Sequence, residues 1–149
     1  MMTYFDFHDP DEAQSALLSA RLNFRDASRF LQEGSLRTGM FALYDSVLFA
    51  MYHYVVRHEA NVTIDLCDGT GLFHRLVLAG VFEDPSAFDR LSRRIERVLW
   101  QRPFSFHAKE ALVEVEIMLT KLGVLPFQES TLPPEAWMST HHESELNTC

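Results

Sequence analysis

The chain has 149 residues, 47% hydrophobic and 23% charged, with 6 Gly and 6 Pro, which excludes disorder or a collagen-like repeat as a description of the whole and fits one soluble domain with a full core. Thirteen Lys and Arg, 11 of them Arg, stand against 21 Asp and Glu, so the net charge of −8 argues against a broadly basic, DNA-binding surface and leaves room only for a local basic patch. No apolar run reaches the roughly 18 residues of a membrane span, and the start MMTYFDFHDPDE lacks a basic or signal-like stretch, so the expectation is a cytoplasmic protein with no membrane partner.

Asp9-Pro10-Asp11-Glu12 offers an N-cap, a proline at the first helical position and a Glu at the third, and Gly34 supplies the stop. Between them Leu17, Ala20, Phe24, Ala27 and Leu31 alternate spacings of three and four, which predicts a helix with Arg21, Arg25 and Arg29 on a second face that is either wet or bound to something. Ser35 is placed to cap a second helix reaching about residue 57. Its apolar set is Leu36, Met40, Leu43, Val47, Ala50 and Tyr54, widened by Tyr44, Leu48, Met51 and Val55. A stripe that wide needs more than one neighbour, and the short link at 32–35 makes the first two helices antiparallel partners.

A linker at 58–67 leads to a short helix over 71–81 with Leu72, Leu76 and Ala79 inward, closing at Gly80. Asp84-Pro85 signals a fourth helix to about residue 101, with Phe88, Leu91, Ile95, Val98 and Leu99 inward and Pro103 as its end. Ser105 is placed to cap a fifth, whose Ala108, Leu112, Val115, Ile117, Leu119 and Leu122 run to the stop at Gly123 and Pro126. The fold class is therefore all-α, a four- to five-helix up-down bundle over 1–125. The remainder, 126–149, has no Lys or Arg and reads as an acidic, mobile tail, in which 133–138 could dock a turn through Trp137. Cys67 and Cys149 define no disulfide framework or paired-cysteine metal site, and His141-His142 lacks further ligands, so no metal is expected.

One motif points elsewhere. Residues 64–73, IDLCDGTGLF, resemble the D-L-G-C-G-T-G-L loop of S-adenosylmethionine-dependent methyltransferases, with Gly69, Thr70 and Gly71 in register and Cys67 and Asp68 departing from the pattern. That resemblance implies a sheet, and only 61–66 reads as strand-like. The structural alternative is an Asp N-cap and glycines ahead of a short helix, with no cofactor.

Residues 20–56, ARLNFRDASRFLQEGSLRTGMFALYDSVLFAMYHYVV, resemble the first two helices of HEPN domains, the bundle also found at the C-terminus of kanamycin nucleotidyltransferase. Glu33-Gly34, Leu43-Tyr44, Ala50 and His53 carry the likeness, Gly71-Leu72-Phe73-His74-Arg75-Leu76 resembles the family's short third helix, and Arg102-Pro103-Phe104-Ser105-Phe106 the loop before its last helix. The resemblance covers roughly residues 12–122. It implies a homodimer that binds nucleotide or RNA, or partners a small nucleotidyltransferase in a toxin-antitoxin pair; other members are ribonucleases. Arg102 and His107 have the ribonuclease spacing, Arg to grip a phosphate and His as acid or base, but Pro103 stands where those enzymes carry a polar residue.

Candidate ligand-binding residues are Tyr44, Asp45, His53, Arg57, Arg94 and Arg97. Tyr44, Phe49 and Tyr54 could line a base-stacking pocket, and His53 and Arg57, one turn apart, could meet a phosphate. Arg90, Arg94 and Arg97 share a face that suits phosphate or an acidic partner. Each has a plainer reading: core aromatics, a hydrogen-bonded, semi-buried histidine, and a solvated helix face whose Arg stems cover apolar surface. Phe41, Phe49, Tyr52 and Trp100 exceed what so small a bundle can readily cover, which favours association into the dimer.

Overall fold

In the computed structural model, which describes residues 10–59, 64–100 and 105–133, each stretch with 3.6-residue apolar spacing is helical. The elements are α1 (Pro10–Gln32), α2 (Leu36–His58), α3 (Gly69–Leu78), α4 (Ala87–Trp100) and α5 (Ser105–Lys121), followed by a 3-10 turn at Glu129–Thr131. No strand occurs among the described residues, so the protein is an all-α bundle.

The helix ends follow from glycine chemistry at three places. Gly34, with φ +84°, lets Ser35 N–H reach Phe30 O at 2.9 Å while its own N–H reaches Leu31 O, the paired closure that satisfies the last carbonyls of α1. Gly80 and Gly123 close α3 and α5 in the same way, through Val81 N–H to Leu76 O and Val124 N–H to Leu119 O, each 2.9 Å. The starts obey the side chains less uniformly. Ser35 and Asp68 precede α2 and α3 with nearly equal backbone angles, φ/ψ −82/70° and −91/73°, yet only Asp68 caps, accepting from Gly71 N–H at 2.9 Å. The Asp carboxylate reaches one bond further than the Ser hydroxyl. Asp84-Pro85 starts α4 later than the cap-plus-proline signal suggests, because Asp84 Oδ1 accepts from Ser86 N–H at 2.9 Å and forms a turn before the first helical residue, Ala87.

α2 is the central rod. Its residues Met40, Leu43, Val47, Leu48, Ala50, Met51 and Val55 are buried on several sides at once, under α1, α3, α4 and α5. Its most extensive partner is α1, where Gly39 permits the approach: a Cβ there would lie 2.6 Å from Leu31 Cδ2. Phe49 and Tyr52, expected as surplus surface for a dimer, are 3% and 0% exposed inside this monomer core, whereas Phe41 and Trp100 are exposed at 40% and 79%. In α5 the buried set is Ala108, Ala111, Val115, Met118, Leu119 and Leu122, and Ile117, assigned to the core by spacing, is exposed with Val113.

The arginine face of α1 is not wet. Residues 124–133 return along it: Arg21 Nε donates to Val124 O at 3.0 Å, Arg25 Nη1 to Pro133 O at 2.6 Å, and the Arg21 guanidinium lies 5.8 Å from the Phe127 ring centre. Leu125 and Phe127 pack on the core, so contacts with the bundle continue past the expected boundary at 125 as far as Pro133. Residues 134–149, with the Trp137 turn and His141-His142, lie outside the described residues. Asn23 and Asp26 are buried although polar, at 0% and 1% exposure; Asn23 Nδ2 donates to Ser19 O at 2.8 Å, and Asp26 Oδ1 lies 3.4 Å from Arg25 Nε.

Because nothing lies within 4 Å of a Cβ built on Gly80, the cost of filling that position is purely the left-handed backbone. Gly80→Ala should lower stability by about 1–2 kcal/mol in urea denaturation with an unchanged denaturant slope.

Candidate functional site

The glycine loop meets the core at the base of α3. A Cβ on Gly69 would lie 2.7 Å from Phe88 Cζ and 2.9 Å from Leu48 Cδ2, so the bare backbone is what lets α3 sit against α2 and α4. Gly71 leaves room for the Asp68 carboxylate, whose Oδ2 would be 2.2 Å from an added Cβ. Upstream, Asp65 Oδ1 accepts from Cys67 N–H at 2.9 Å and Asp65 O from Asp68 N–H at 3.1 Å. The loop is thus a capped helix start, and the sheet that the methyltransferase resemblance requires is absent among the described residues. Cys67 lies in this loop ahead of α3, and the chain's other cysteine, Cys149, lies outside the described residues. No helix among the described residues is long and apolar enough to cross a membrane.

Close approach of α3 brings aromatic rings from three helices together. Phe88 stacks on Phe73 at 5.6 Å and 23°, Tyr44 lies 5.9 Å from Phe88, and Phe73 is 5.0 Å from Phe82. Beside this cluster opens a cleft of about 470 Å³, walled by Phe41 and Tyr44 of α2, Phe73 of α3, and Phe88, Ile95 and Leu99 of α4. Thr70 and Ser92 bring hydroxyls and Asp89 and Glu96 carboxylates to its lining. The Tyr44 hydroxyl is held protonated, its pKa raised first by burial and then by the negative charges of Asp45 and Asp68. A phenol is protonated at neutral pH even without that shift, so the hydroxyl is available as a donor.

The other expected ligand residues do not converge here. Asp45 is half-buried beside Tyr44, but His53 and Arg57 lie two and a half turns or more further along α2, about 14 Å and about 20 Å along the axis from Tyr44 at the helical rise. His53, 4% exposed, is a core histidine that donates from Nδ1 to Ala13 O at 2.6 Å. Beside it Tyr52 Oη donates to Glu12 Oε2 at 3.3 Å, so Glu12 faces inward to tie α1 to α2. Arg57 is exposed. Arg90 pairs with Asp84 and Glu114, each at 3.0 Å, and Arg94 with Glu110 and with Glu114 at 3.2 Å, so most of the expected cation stripe is spent joining α4 to α5; Arg97 is exposed. Arg102 and Pro103 lie outside the described residues, while His107 is half-buried in the first turn of α5.

Sequence reading missed Phe73, Phe88, Ser92 and Glu96 as a site because the two phenylalanines fit the core pattern equally well. The available signal was an aromatic excess, Phe73, Phe82 and Phe88 within 16 residues flanking the glycine loop. Comparison with known protein families, characterised proteins and solved structures finds no match, so the family resemblance rests on the residues quoted for it.

Two measurements check these assignments. Gly69→Ala forces Phe88 or Leu48 aside, and should cost about 1–3 kcal/mol while reducing near-ultraviolet circular dichroism from the aromatic cluster. Burial, aided by the charges of Arg57, Arg21 and His58 and only partly offset by the Ala13 hydrogen bond, lowers the His53 pKa below the ordinary 6.5. Below pH 6.5 the unfolded chain then takes up a proton that the folded one refuses. His53 accordingly makes stability fall as pH drops through 6.5 toward its folded pKa, and urea midpoints of His53→Gln should change less between pH 7.5 and 5.5 than those of wild type.

Proposed function

We propose that this chain is a HEPN-like binding module that recognises its ligand in the cleft between α2, α3 and α4 and is not itself a catalyst. The observation that carries the reading is the cleft itself: concave, largely apolar, and furnished with a few convergent polar groups, the pattern of a small-molecule site. The two histidines weighed for catalysis or phosphate binding stand apart from it. His53 is committed to the Ala13 carbonyl, and His107 belongs to α5, which contributes nothing to the lining.

The expectation of nucleotide as ligand fits this cleft poorly, because its lining among the described residues includes no Lys, Arg or His to meet a phosphate. A homodimer or a nucleotidyltransferase partner would use other surface. Trp100, 79% exposed at the end of α4 and not among the cleft's lining residues, favours such an association.

Two assays test the reading. Ser92→Trp places an indole in the cleft without removing a core side chain, and ligand-observed NMR against a panel of soluble aromatic compounds should show binding to wild type that this variant loses. On structured and single-stranded RNA, wild type should show no cleavage that depends on Arg102 and His107. Cleavage reduced more than about a hundredfold by both Arg102→Ala and His107→Ala would make the protein a ribonuclease instead.

A further inference from the structure

The cleft combines two properties that general packing does not require together. Four aromatic residues, Phe41, Tyr44, Phe73 and Phe88, contribute to its walls, and the charged groups among its described lining residues are acidic, Asp89 and Glu96. An aromatic face carries negative potential and attracts a cation positioned over it. Asp89 shares its charge with Arg93, whose Nη2 lies 3.1 Å from Oδ2, both side chains being well exposed. Glu96 is exposed on the same helix face. One feature acts in the opposite sense, since the N-terminal end of α3, from which Thr70 enters the lining, carries the positive end of a helix dipole. That end amounts to about half an elementary charge, and the Asp68 carboxylate capping it carries a whole negative one. The balance there is negative.

The nearby cations do not reverse this. Arg90 and Arg94 are turned to Asp84, Glu110 and Glu114 on the side facing α5, and neither Arg93 nor Arg97 lines the cleft. A volume of about 470 Å³ accommodates a bicyclic or tricyclic ring system.

We infer that the cleft takes a flat organic cation, its ring system against Phe41, Phe73 and Phe88 and its positive charge toward Glu96. The inference rests on the cleft being the binding site, and adds the charge of the ligand.

The test uses the full chain and three probes of one shape, 1-methylquinolinium, 1-methylnaphthalene and 1-naphthoate, with adenosine monophosphate as a fourth, titrated by NMR at low and moderate salt. 1-Methylquinolinium should bind at least about tenfold more tightly than the neutral probe, with 1-naphthoate and the nucleotide weaker still, and its advantage should shrink with salt. Glu96→Gln, an exposed substitution that leaves folding intact, should remove severalfold of the affinity for the cation and leave that for 1-methylnaphthalene unchanged. Ser92→Trp should abolish binding of every probe. Equal affinity for cation and neutral probe, preference for either anion, or an unaltered cation affinity in Glu96→Gln overturns the inference while leaving the cleft as a binding site. Failure of all four probes to bind wild type overturns both.

Discussion

Everything in this protein is arranged around the burial of α2. A helix that is apolar around most of its circumference is stable in water only if neighbours cover it on several sides, and α1, α3, α4 and α5 each supply part of that cover. Gly39 allows α1 to approach, Gly69 allows α3 to approach, and the polar residues that α2 carries inward are individually satisfied: Ser46 Oγ donates to Leu43 O at 2.7 Å, Tyr52 to Glu12 and His53 to Ala13. Substituting these polar groups singly would leave partners unpaired in a dry interior, which is dearer than the bonds themselves are worth.

The charged surface is organised by the same packing. With α2 occupying one side of α1, its arginines would have faced water, but the chain doubles back after Gly123 and its carbonyls at Val124 and Pro133 accept from Arg21 and Arg25. On the other side Glu110 and Glu114 of α5 gather Arg90 and Arg94 of α4. Individual exposed pairs contribute little, but a shared network fixes how α4 and α5 align over α2. Arg21, Arg25, Arg90 and Arg94 are turned to partners elsewhere in the bundle, and none of the cleft's described lining residues is a cation.

That cleft is a by-product of unequal cover. α3 is only ten residues long, and beside it, between α2 and α4, rings from three helices meet stacked or tilted and leave the cleft open. The glycines that resemble a cofactor loop serve this geometry: Gly69 by seating α3 against Phe88 and Leu48, Gly71 by admitting the Asp68 cap.

The sequence by itself determined what depends on neighbours three and four residues apart: the five helices, the glycine closures at 34, 80 and 123, the antiparallel pairing of α1 with α2, and the reading of His53 as a hydrogen-bonded histidine. Tertiary structure alone decided what depends on residues far apart in the chain. Periodicity places Arg21 and Arg25 on one face but cannot say that Val124 and Pro133 will lie on it, 103 and 108 residues away. It marks Phe73 and Phe88 as inward without saying that they stop short of closing a cleft, and it marks Ile117 as inward although no helix comes to cover it. Helical spacing reports the direction a side chain takes from its own axis; what stands in that direction is set by how the axes pack, and that is where the site of this protein is made.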